Sequence, residues 1–497
     1  MLRRDSSSRF GGYWRCSAVC YSFRVHLFRG LAQDVPLCER KTRPGATLLN
    51  HIWLYLSKTD IETEKRQCDE EGRELSGVED EFERVLSLDL ENLANQPAAQ
   101  ALLDRTISLP IRPDFKFDEP SDLAGIRAAR PQNGPSLPTL SLSPVELEDK
   151  IYGAWAGRCA GCLLGKPVEG WRKPRMHGYL KDLNRWPLSD YFRYDAADSA
   201  AIEKYQLSDK AAFADLVDAM PEDDDTNYTT TGLAILERFG PDFTPEDVAR
   251  FWLNDIPILH SCTAERVAYK NLVNLVPPPQ SATFRNPYRE WIGAQIRADF
   301  WGYAAAGNPE LAAEFAWRDA SVSHVKNGIY GEMWAAAMIA AAFVETDIPT
   351  IIQAGIAQIP ANCRLTDAVE HLLEWHELEI DYDTAAYRIH EMWDENRAHD
   401  WCHTISNAMI VAMGLLWGEG DFGKTICRAV QPCFDTDCNG ATAGSILGIL
   451  HGRKALPAEW MAPINDTLHT GVTGYHTVKL ADITQKSLKI IELVANR

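Results

Sequence analysis

Two acidic runs carry the most chemistry that can be read from this chain. Glu222-Asp223-Asp224-Asp225-Thr226 stands just before an apolar helical pattern. Phe434-Asp435-Thr436-Asp437-Cys438-Asn439 stands before another, about 210 residues later. In an extended approach to a helix, residues i and i+2 point the same way, so Asp435 and Asp437 can face one point. Hard oxygen donors in two separated clusters are what a magnesium or calcium site requires. The expectation is that the fold brings the clusters together around metal. Taken alone, each run also reads as a solvated helix start or an N-cap.

The elements that must position these runs are helical. Ser143-Pro144-Val145-Glu146 has the hydroxyl, proline and glutamate of a capping box. The helix it opens carries glycine at 153, 157, 161 and 165. Each glycine costs a helix about 1 kcal/mol against alanine, so a series of four implies backbone packed on backbone and a central helix. The segment Gly440 to Gly452 is similarly small and predicts close approach to a neighbour. Helices are expected from Asp224 to Phe239, after Thr244-Pro245 and Asn308-Pro309, over Asn327 to Val344, and at 365–378, 383–395, 403–418 and 439–452. Alternating strand patterns are almost absent, which predicts an all-α fold. The segment 171–219 is irregular and aromatic. Its Trp171, Trp186, Tyr191, Phe192 and Tyr194 could line a cleft, but loop anchoring is the simpler reading.

Composition narrows the class. A 497-residue chain with 45% hydrophobic and 24% charged residues has ample core for a soluble globular protein. Its net charge of -20 argues against nucleic acid or an anionic membrane surface as partner. The twelve cysteines have no repeated spacing, which points to a reduced, intracellular and cytoplasmic protein rather than a disulfide scaffold. Cys159 and Cys162 read as small buried residues, not half of a zinc site. Residues 1–45, rich in Arg and Ser, are expected to be a disordered or targeting-like leader, with a mitochondrial address as the alternative. Residues 46–142 are expected to form an accessory acidic helical segment and linker, and 143–497 the main domain. His399 and His403 read as capping or structural histidines.

Five blocks resemble one family in order and approximate spacing. Gly153 to Glu169 resembles the opening helix of the ADP-ribosylglycohydrolase family. Asp223-Asp-Asp-Thr226 resembles its first acidic motif and Asp435-Thr-Asp437 its second. Gly293-Ala-Gln-Ile-Arg297 resembles its ribose and phosphate loop, and Ser323-His324 the segment flanking its ligand cleft. The resemblance covers residues 145–490. It implies an orthogonal all-α helical bundle holding two magnesium ions, with manganese as an alternative, beneath a cleft where water cleaves a ribosyl bond. The implied metal ligands are Asp223, Asp224, Asp225, Asp435, Asp437 and Cys438. Glu169 and Asp435 fall in the catalytic centre, with Glu169 placed to orient or deprotonate water. Gly293, Gln295 and His324 fall on substrate-binding positions. The implied substrate is an ADP-ribose conjugate. Another ribosyl metabolite, or a binding relative without turnover, are the alternatives. Three positions depart from the family pattern: Cys162 replaces an aspartate, and Asp223 and Cys438 each replace a threonine. A thiol is a poor magnesium ligand.

Overall fold

The computed structural model describes residues 51–497; the expected leader at 1–45 lies outside them. The described chain is built from α-helices, with one two-stranded antiparallel sheet pairing Thr467–His469 with Thr477–Lys479. No described helix is long and apolar enough to cross a membrane. The helix Pro144–Gly165 begins on Ser143 with a complete capping box, and Asp224–Phe239 ends at Gly240. Segment 171–219 contains two short helices, Lys173–Asp182 and Ser199–Tyr205. Its aromatic residues anchor the segment. Trp171 meets Tyr179 edge-on at 5.6 Å, and the Tyr191 hydroxyl donates to the Trp460 carbonyl at 2.9 Å.

Two glycine-bearing helices form the centre. Pro144–Gly165 runs antiparallel to Thr436–Ala455, with Gly153 facing Gly448, Gly157 facing Gly444 and Gly161 facing Gly440. A Cβ at any of these six positions would overlap a backbone carbonyl of the partner helix. The conformational cost of glycine is therefore offset by backbone packing closer than ordinary side chains permit. The register ends where Gly165 meets Thr436, whose hydroxyl donates to the Gly165 carbonyl at 2.9 Å. One turn further, the chain from Lys166 to Glu169 must lie beside Asp435 and Asp437. The glycine register thus fixes the position of the acidic residues.

Around this pair, Asn327–Ala341 and Thr404–Trp417 are buried along their whole length. Residues 51–118 carry a smaller apolar cluster of their own around Phe82, Val85 and Leu102. Buried polar contacts tie this segment to the main body. Arg289 pairs with Glu64 at 2.6 Å and also with Glu71, which Lys326 reaches at 3.0 Å. The Tyr288 hydroxyl donates to Asp60.

Candidate metal centre

A cleft of about 690 Å³ opens above the end of the glycine register. Glu169, Asp223, Asp224, Asp435, Asp437 and Cys438 line it, so the two acidic runs do converge. Asp225 is fully buried beneath them.

The aspartates are placed by helix starts, and Glu169 by the turn that follows Lys166–Val168. Asp223 is the N-cap of Asp224–Phe239, and its Oδ1 accepts the Asp225 amide at 2.9 Å. Its Oδ2 accepts from the Lys166 ammonium. Asp225 Oδ1 accepts from Arg158 at 2.9 Å, and the same guanidinium binds Asp299 at 2.7 Å. Asp435 is the N-cap of Thr436–Ala455, yet its side chain makes no capping bond; it lines the cleft, and its Oδ2 accepts from the Cys402 thiol at 3.9 Å. The Asp435 amide donates to Asn407 Oδ1 at 3.1 Å, fixing the backbone there. Asp225 Oδ2 and Asp437 Oδ1 are buried and have no hydrogen-bond partner among the described residues. Buried carboxylate oxygens without donors are costly unless a cation meets them.

Three donor groups follow, each with its ligand atoms within 4.8 Å of one another. Glu169, Asp435 and Asp437 form an all-oxygen group; Asp225, Asp437 and Cys438 form a second; Cys162, Asp223 and Asp225 form a third. The all-oxygen group suits a hard cation such as magnesium. The other two do not, because each includes a thiol.

The electrostatics reflect crowding. Asp437, burial and Asp223 push Glu169 well above the ordinary range, although its side chain is exposed to the cleft. Burial, Asp223 and Asp437 raise Asp224 to about 8, and burial with Asp223 raises Asp437 to about 6. Burial and Asp437 likewise raise Asp435. Asp223 is the exception. Burial opposes its charge, but Lys166 and the Asp225 amide hold its carboxyl below the usual range. Burial also opposes the Lys166 ammonium, which Asp223 keeps charged. An excess of carboxylates sharing one cleft floor is an arrangement for binding cations.

The remaining expected site residues are distributed unevenly. Gly293 lines the cleft, and a Cβ there would strike the Glu265 carboxylate that Arg297 holds at 2.6 Å. Gln295 and His324 are buried and do not line the cleft; Gln295 accepts from the Thr404 hydroxyl at 3.1 Å, and His324 Nδ1 lies 2.8 Å from Ser323 Oγ. His403 caps its helix by accepting the Ile405 amide at 3.1 Å, and His399 bridges Trp291 and Glu70.

Sequence reasoning missed several residues. Lys166 sits in the same turn as Glu169, but its partner Asp223 lies 57 residues away, so no local signal marks it. The aromatic walls come from Trp53, Trp291 and Trp401, not from the 171–195 segment. Trp53 packs under Arg266 at 4.8 Å, and Trp401 under Arg172 at 5.0 Å. No local pattern marks Trp53 or Ile52 as cleft residues.

The family model for ADP-ribosylglycohydrolase matches residues 143–491, more than half of the chain. No curated protein matches. A solved structure described as an ADP-ribosylglycohydrolase-related protein complex is 17% identical, with a TM-score of 0.41, over 70% of this chain and 99% of that one. The helical fold, the order of the motifs and the matched span agree: the chain belongs to the ADP-ribosylglycohydrolase family and is a hydrolase of the glycosidase type.

Proposed function

We infer that the chain is a magnesium-dependent glycohydrolase that cleaves a ribosyl N- or O-glycosidic bond, with ADP-ribose conjugates as substrate. The observation that carries this reading is the convergence of Glu169, Asp435 and Asp437 on the cleft floor, each offering an oxygen within 4.8 Å of the others. These three would hold a magnesium ion, which when bound supplies positive charge to sugar hydroxyls and to water. A second cation position adjoins it through Asp437. Glu169 faces the cleft; with one oxygen toward a cation that relieves the repulsion from Asp437, its other oxygen would be suited to orient a water and accept its proton. The neighbouring carboxylates stabilise the positive charge that grows on the sugar as the glycosidic bond breaks. Trp53 and Trp401 offer faces to a base or other flat leaving group.

The test is release of ribosyl product from ADP-ribosyl-arginine, ADP-ribosyl-serine, O-acetyl-ADP-ribose and simple ribosides, with magnesium and with chelator. Chelator-sensitive release from an ADP-ribosyl member, lost in Glu169→Gln, is expected. No release from any member would overturn the reading.

A further inference from the structure

The donor group beneath the all-oxygen one has a different chemistry. Asp225, Asp437 and Cys438 bring two carboxylate oxygens and a thiol within 4.8 Å of one another. All three side chains are more than nine-tenths buried. Among the described residues the oxygens Asp225 Oδ2 and Asp437 Oδ1 have no hydrogen-bond partner, whereas the other Asp225 oxygen is already held by Arg158. Both oxygens of Asp223 are also taken, one by Lys166 and one by the Asp225 amide. The adjoining Cys162 group is thereby left with one engaged carboxylate, and the unpartnered atoms fall to the Cys438 group. Cys438 and Asp437 line the cleft, and Asp225 is buried behind it.

A hard cation gains little from sulfur, while zinc-class cations bind thiolate and carboxylate together. We propose that Asp225, Asp437 and Cys438 form a mixed carboxylate–thiolate site that selects a zinc-class cation over magnesium. On binding, a metal–sulfur bond forms and the thiol proton leaves to solvent. Asp437 then joins this inner site to the all-oxygen group, and the chain carries two cation positions of unlike preference. The proposal deepens the reading of the cleft floor as a cation site and depends on it.

Cobalt is the probe. The full chain, stripped with chelator and loaded with cobalt(II), should show a near-ultraviolet thiolate-to-cobalt charge-transfer band. Zinc should abolish the band on stoichiometric addition, and it should persist in about a thousandfold excess of magnesium. Cys438→Ser should bind cobalt without the band, and Cys402→Ser, another cleft thiol, should keep it. Cobalt uptake without a band in the unaltered chain would overturn the thiolate site alone and leave the glycohydrolase reading intact. A band that survives in Cys438→Ser, or that magnesium removes, would overturn it too. Failure to take up cobalt at all would overturn both. The first of these outcomes needs no variant, so it stands whether or not Cys438→Ser folds.

Discussion

Two buried clusters of charge in this molecule follow opposite rules. In the belt that joins the N-terminal described segment to the main body, two pairs of buried glutamates each share a guanidinium. Arg289 lies between Glu64 and Glu71, and Arg364 between Glu119 and Glu290, at 2.8 and 2.6 Å. Although burial opposes their charge, Arg289 and Arg364 hold Glu71 and Glu290 below the ordinary carboxylate range. On the cleft floor the acids outnumber the cations. Lys166 settles Asp223 and Arg158 settles one oxygen of Asp225, while Glu169, Asp224, Asp435 and Asp437 are pushed upward. A cluster that balances itself is structural. One left short of positive charge, at the bottom of an open cleft, is built to be completed from solution.

Breaking the balanced belt should have the largest effect. Arg289→Ala leaves Glu64 and Glu71 buried without their guanidinium and should cost about 3–5 kcal/mol in denaturant unfolding. The unbalanced floor should respond to pH instead. Asp437 and Asp224 hold protons in the folded chain up to about 6 and about 8. Unfolded aspartate releases its proton near pH 4. Between these limits the folded chain binds more protons, so the stability of chelator-treated protein should fall as pH rises from about 5 to 8. The expected loss is on the order of 2 kcal/mol, less than the separate shifts would add to, because neighbours share the repulsion. Thermal unfolding across that range checks it, and saturating magnesium should flatten the slope.

Removing one floor acid sharpens the contrast further. Asp437→Asn should stabilise the chelated chain by on the order of 1 kcal/mol at pH 8, opposite in sign to Arg289→Ala, while lowering magnesium-dependent activity by about 100-fold or more. The smallest effect is expected at the rim. Trp53→Ala should raise KM for base-bearing substrates about fivefold with little change in kcat, and should leave simple ribosides unaffected. Parallel KM measurements on the two substrate classes decide it.

Much of this organisation is legible in the sequence, because it is local. Ser143, Thr244 and Asn308 mark helix starts through capping that needs only three or four neighbouring residues. The glycine spacing announces a close helix pair, and both acidic motifs stand where those helices begin. What the sequence hides is long-range. Arg158 lies inside a glycine-rich helix, and only folding brings it to Asp225 and Asp299. Lys166 reads as an ordinary turn residue until the register seats it on Asp223. Trp53 comes from a segment outside the family match and reaches the cleft only through the belt of ion pairs. For the aromatic run from Trp171 to Tyr194 loop anchoring is the simpler reading, and the contacts of Trp171 and Tyr191 agree with it.

The most direct test of the floor as a cation centre is calorimetric titration of magnesium into chelator-treated protein near neutral pH. Saturable binding by the unaltered chain, abolished when Asp435 and Asp437 are both changed to asparagine, is the predicted result. Binding of equal affinity in the double variant would contradict the account.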